Sequence, residues 1–306
     1  MTDRRRVNGP TGGTTPVVFD PELVKNFAAS VSKPIRTRAA RELRKIFLQT
    51  GLTPSASGSA YFEVEQHPSH SHGLARSSTL KITCTVHGPR PLPRSSSFTP
   101  NMLLTTTVKF APFAASQRRG YIRDNAERDL AVHLETAIRG VIMNDRWPKS
   151  GLDVVITILE GEDDSWWDTG LSTMSSGGQT PFGMMSILSG CITAASTAIV
   201  DAGIDCVDIV TGGVAALVKK SELATGNSNL ELVLDPCPSE HDEIVACCVV
   251  GYLKARDELT EVWMRGDVSL TPQVGVGGQS EVDSLINGAV QAASAYHAVI
   301  VSSIKK

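Results

Sequence analysis

Residues 184–203 read MMSILSGCITAASTAIVDAG, and from Met184 to Val200 this stretch carries no charged side chain. Apolar or small residues recur around most of its helical circumference, so it forms no solvent-facing stripe. Such a helix must be covered on several sides, and Gly203 supplies its C-terminal stop. Whatever this chain folds into has layers of structure packed around residues 184–203.

The surrounding sequence supplies those layers as strands. The tract RKIFLQTG reads as a strand ending in a glycine turn. GSAYFEVE alternates, and LKITCTVHG places Leu80, Ile82, Cys84 and Val86 on one face. LLTTTVKFAPF and LDVVITILE are further strands. Beyond the apolar helix, separate strand candidates run through CVDIVTGG, VAALVKK, LELVLD, EIVACCVVGYL and TEVWMRG.

Between the first meander and LDVVITILE lies the amphipathic helix DNAERDLAVHLETAIRGVIM. Asp124 and Glu127 stand at capping-box spacing, and Leu130, Leu134, Ala137, Ile138, Val141 and Ile142 make its apolar stripe. A last helix spans about residues 280–304. The order is meander, helix, strand, helix, meander, helix, an α+β pattern of two sheet-and-helix halves. Residues 1–32, rich in Gly, Pro, Thr and Ser around Arg4, Arg5 and Arg6, read as a flexible arm. Residues 33–306 read as one domain with loop insertions near 66–77 and 161–183.

Composition excludes several functions. A net charge of -3 gives no global attraction to nucleic acid or to a membrane surface. No segment reads as a secretory signal or membrane span. The six cysteines show no CxxC pair, and several lie in apolar runs, which fits a reducing compartment.

Against this framework particular residues become recognisable. GSAYFE after a basic strand, ITCTVHGPR, RWPKSGLDVVITILE and ITAASTAIVDAGIDCVDIV resemble the RNase PH family of phosphorolytic 3′→5′ exoribonucleases. DRRRVNGP, KFAPFAASQRR, WPKSG and LVLDP are similar to one branch of it, the fungal core-ring subunits of the RNA exosome. The resemblance implies an RNase PH-like (ribosomal protein S5 domain 2-like) fold of two halves packed face to face. It also implies pairing with other RNase PH-like subunits in a six-membered ring, S1/KH cap subunits, RNA in the central channel and a hydrolytic nuclease engaged indirectly. A nuclear and nucleolar location, with a cytoplasmic pool, comes with it.

Active members of the family hold phosphate with a loop arginine at a helix N-terminus, and carry two aspartates six positions apart. Aligned on Ile192, the arginine position falls on Leu188, and no Arg or Lys occurs from Asp168 to Val218. Asp235 matches the first aspartate, His241 stands at the second, and Asp242 lies one residue beyond it. These degenerate positions imply a silent subunit without cofactor, metal or catalytic residues. The alternative is a working phosphate-dependent exoribonuclease that uses Asp235 and Asp242 with a cation from elsewhere. A stand-alone RNA-binding module is disfavoured by the net charge and by the lack of an aromatic stacking strand.

Other residues carry weaker expectations. Asp235 before Pro236 reads as a turn opener with a structural or surface role. Arg118, Arg119 and Arg123 are RNA-contact candidates by resemblance, with a solvated turn or a subunit salt bridge as the plain reading. His67, His70 and His72 have metal-compatible spacing but sit in a loop without Cys or acid, so a metal site is not expected. Trp166 and Trp167 suggest docking, on this chain or on a partner. Asp153 and the tract Glu162, Asp163, Asp164 read as solvated acidic residues.

Overall fold

The structure, a computed structural model, describes residues 36–304 except 37, 66–78, 94, 96, 115–119, 163–181, 220–229, 238–239, 242–243, 267 and 269–279. Two sheets and three α-helices make up the described fold. The first sheet contains β1 (Ile46–Thr50), β2 (Gly58–Val64), β3 (Leu80–Pro91), β4 (Leu103–Phe110) and β5 (Ser150–Glu160), in the order β1-β2-β3-β5-β4. Its pairs are antiparallel except β4 and β5. That pair is parallel because α1 (Asn125–Arg139) carries the chain back between them, and a parallel pair needs such a crossover.

The second sheet is antiparallel throughout, with β7 (Leu230–Leu234), β6 (Val210–Lys219), β8 (Ile244–Leu253) and β9 (Glu258–Gly266) side by side in that order. Helix α2 (Gly183–Asp201) contains the charge-free segment, and every residue from Gly183 to Ile199 is buried. It contacts β2 and β3 of the first sheet and β6 and β8 of the second. Helix α3 (Glu281–Ile304) covers the other face of the second sheet through Leu285, Ala289 and Ala293.

The few polar side chains of α2 are used. The Thr193 hydroxyl donates to Ser189 O and accepts from Gly212 N, each at 3.0 Å, while Ser196 Oγ accepts from Val210 N at 2.9 Å. These bonds staple β6 to the central helix, and they satisfy hydroxyls that would be costly to bury alone.

Here two expected strands prove to be one. The end of CVDIVTGG and VAALVK form the single strand β6, which runs straight through Gly212 and Gly213. The glycines do not break it; they let helices approach from both faces. A Cβ on Gly212 would lie 2.3 Å from Ser189 O of α2, and one on Gly213 would lie 2.1 Å from Ala289 O of α3.

The capping box at Asp124 and Glu127 forms, and Glu127 Oε1 also accepts from Phe110 N at 2.8 Å, which explains its burial. Helix α1 ends at Arg139, short of the expected Val141 and Ile142. Those two residues are buried beyond the helix, where Ile142 bridges to Cys206. At the end of α2, Ala202 is the cap and Gly203 follows with φ +70°.

Candidate functional site

Three distant parts of the sequence meet beside the first turns of α2. The basic segment ahead of β1 brings Arg36, Arg38 and Arg44. The end of β5 brings Glu162, and the end of β7 brings Asp235 and Glu240. Arg44, Glu162, Asp235 and Glu240 are all buried. Arg44 and Asp235 also line a small, mostly apolar cleft with Phe62, Leu80, Ser186 and Tyr296.

Arg44 is the centre of this cluster. Its Nε donates to Asp235 Oδ2 at 2.8 Å and its Nη2 to Oδ1 at 2.7 Å, a two-pronged pair. Its backbone N–H donates to Oδ2 at 3.0 Å, and its Nη1 donates to Glu162. Arg38 bridges two carboxylates: Nη1 lies 3.3 Å from Asp235 Oδ2, and Nη2 reaches Glu240 Oε1 and Oε2 at 3.1 and 3.0 Å. Arg36 pairs with Glu240 at 3.5 Å and donates to the carbonyl of Leu234 at 3.1 Å, tying the segment to the end of β7.

Three guanidinium groups thus face three carboxylates, and the formal charge of the cluster is zero. Burial alone would push the Asp235 carboxyl up, but the charge and hydrogen bonds of Arg44 override it and hold Asp235 well below the usual carboxylate range. Glu162 goes the other way: burial outweighs the same arginine and raises its carboxyl. Burial and the neighbouring Asp235 raise the Tyr296 hydroxyl well above its ordinary range.

Asp235 is thus held by two arginines of its own chain, and it is not a surface residue. It is 6% exposed and has φ +48°, a left-handed conformation that Asp tolerates better than most residues. Glu162 likewise departs from the expected solvated tract; it is 2% exposed because Arg44 gives it a partner. Asp163 and Asp164 lie outside the described residues. Asp153 sits on β5 in an ion pair with Arg90.

Leu188 does not stand in a loop. Helix α2 already begins at Gly183, and Leu188 is fully buried in the core, where an arginine would have no exit to solvent. His241 is half-buried close by in sequence, and Asp242 lies outside the described residues. Arg123 is exposed immediately before the α1 cap. Arg118, Arg119, the three loop histidines, Trp166, Trp167 and the arginines of the arm lie outside the described residues. Arg36, Arg38 and Arg44 escaped prediction as site residues, although their segment is the most basic in the chain. A density of arginine was legible there, but its partners about two hundred positions away were not.

Arg44 does not fit phosphate, and the Asp235–Glu240 pair does not fit a divalent cation. Phosphate needs a cation with donors to spare, and Arg44 directs Nε, Nη1 and Nη2 at Asp235 and Glu162. A metal ion needs carboxylate oxygens open to it. Both oxygens of Asp235 and both of Glu240 already accept from arginine.

Comparison with known proteins agrees with the fold. The family described as "3' exoribonuclease family, domain 1" (RNase PH) matches residues 42–205. The chain is 53% identical over 268 residues to Exosome complex component MTR3 of Chaetomium thermophilum, covering 88% of each. It is 32% identical over 273 residues to the Schizosaccharomyces pombe component of that name, covering 88% of this chain and 86% of the relative. To the Homo sapiens component it is 27% identical over 282 residues, with 88% and 85% covered. The crystal structure of rice Rrp46 superposes with a TM-score of 0.62 at 15% identity, covering 88% of this chain and 99% of that one.

Proposed function

The chain belongs to the RNase PH family of 3′ exoribonucleases, and from that premise we propose that it serves as a structural, non-catalytic subunit of the RNA exosome core ring. One observation carries the silent part of this reading. The carboxylate at the position of the family's first aspartate, Asp235, is consumed by Arg44 and Arg38 of the same chain. Leu188 in the buried core supplies no phosphate-binding cation, which supports the same reading.

The work left to such a subunit is assembly. It pairs with an RNase PH-like neighbour, contacts a second, supports an S1/KH cap subunit and lines a channel through which RNA reaches a separate hydrolytic nuclease. Arg118, Arg119 and Arg123 are the residues we assign to the RNA backbone. Arg123 is exposed ahead of α1, as a phosphate contact requires. With this reading goes work in rRNA processing and mRNA decay, in nucleus, nucleolus and cytoplasm.

The deciding experiment is RNA degradation by the reconstituted ring, with and without inorganic phosphate. Intact assembly without nucleoside diphosphate release is expected. Nucleoside diphosphate that disappears with Asp235→Ala or Asp242→Ala, in a ring that still assembles, would establish the phosphorolytic alternative.

A further inference from the structure

The misfit between this acidic pair and a divalent cation has its own explanation. We infer that Arg38 is a built-in counter-cation: its guanidinium holds the place between Asp235 and Glu240 that a divalent metal ion would otherwise occupy. The inference rests on the silent-subunit reading and adds the device that closes the acidic pair to metal.

The geometry is that of a bridging cation. Arg38 touches Asp235 through Nη1 and both oxygens of Glu240 through Nη2, so one positive group spans two carboxylates from different turns of the chain. The Glu240 side chain is fully buried and that of Asp235 is 9% exposed, whereas Arg38 retains 14% exposure. The arginine is thus the most exposed of these three groups. When Arg38 is removed, Arg44 still holds Asp235 and Arg36 still pairs with Glu240 Oε2 at 3.5 Å, so Glu240 Oε1 is the oxygen that loses its arginine donor. Two buried carboxylates this close need positive charge, and a guanidinium and a hard divalent ion are alternative sources of it. A covalently attached cation is always present, so the acidic pair recruits no metal.

Removing Arg38 should therefore convert the acidic pair into a metal site. The test is the melting temperature of the full-length chain with and without manganese chloride, for the wild type, Arg38→Ala and the double variant Arg38→Ala/Glu240→Gln. The wild type should not respond to Mn²⁺. Arg38→Ala should melt lower and regain about 2–6 °C with Mn²⁺, the shift a single occupied site gives a chain of this size. The double variant should lose that gain. Where Arg38→Ala does not fold in the absence of metal, refolding yield with and without Mn²⁺ is the readout. An Arg38→Ala variant that Mn²⁺ neither stabilises nor rescues, or a response that persists in the double variant, would overturn the inference. So would a wild type that binds Mn²⁺. Nucleoside diphosphate release by the wild-type ring would instead remove the silent-subunit reading, a separate outcome.

Discussion

Arg44 and Asp235 stand 191 positions apart in sequence, yet they share a two-pronged ion pair and a backbone hydrogen bond in the buried interior. The pair joins the segment ahead of the first sheet to the edge strand of the second. It puts a structural joint at the position of the family's first aspartate, and the energetics of that joint can be tested directly.

Asp235→Asn should destabilise the chain by about 3–5 kcal/mol, because it leaves the Arg44 guanidinium buried with only Glu162 as a charged partner. Equilibrium denaturation of the full-length chain measures this. A loss under about 1 kcal/mol would show that the pair contributes no more than a surface bridge.

The same pair predicts an acid limb of stability. Asp235 has a depressed folded-state pKa, so its contribution is complete above the unfolded value of about 3.9 and is lost as pH falls toward the folded one. Glu162 is raised and acts in the opposite sense, contributing at low pH and losing that contribution as pH rises through its folded value. Melting temperature should therefore fall below about pH 4, the unfolded value of an aspartate, and less steeply in Asp235→Asn. Parallel acid limbs in the two proteins would contradict the assignment.

Gly213→Ala should cost about 3 kcal/mol or more, since the new methyl meets the Ala289 carbonyl oxygen at 2.1 Å and backbone must move. Gly120→Ala, with nothing within 4 Å, is the control and should stay within about 0.5 kcal/mol. Thermal melts of both variants separate close packing from a general intolerance of alanine.

Replacing Arg118, Arg119 and Arg123 together by alanine should weaken RNA retention by the assembled ring without disturbing assembly. Every arginine–phosphate pair removed should reduce the slope of log affinity against log salt by about 1. An unchanged slope would assign these arginines to a solvated turn or to a neighbouring subunit.

Much of the fold was legible because its signals are local. Alternation in β3, the capping box at Asp124 and Glu127, and the order of helices and strands depend on residues a few positions apart. The division of CVDIVTGG from VAALVKK failed for a tertiary reason. Gly212 and Gly213 look like a break until two helices are laid against them.

By itself the sequence determined that residues 184–203 would be a covered helix, and that strands would form the cover. A helix with no charged face has nowhere else to go. It also determined that no cation would come from the α2 region. Only the tertiary structure decided where a cation would come from instead. Arg38 and Arg44 reach Asp235 because the two sheets clasp α2 and bring the chain's early segment against the end of β7. The same packing turned Glu162 from an apparent surface acid into a buried one. A buried charge is tolerable only beside its partner, and a partner more than a hundred residues away becomes a neighbour only on folding.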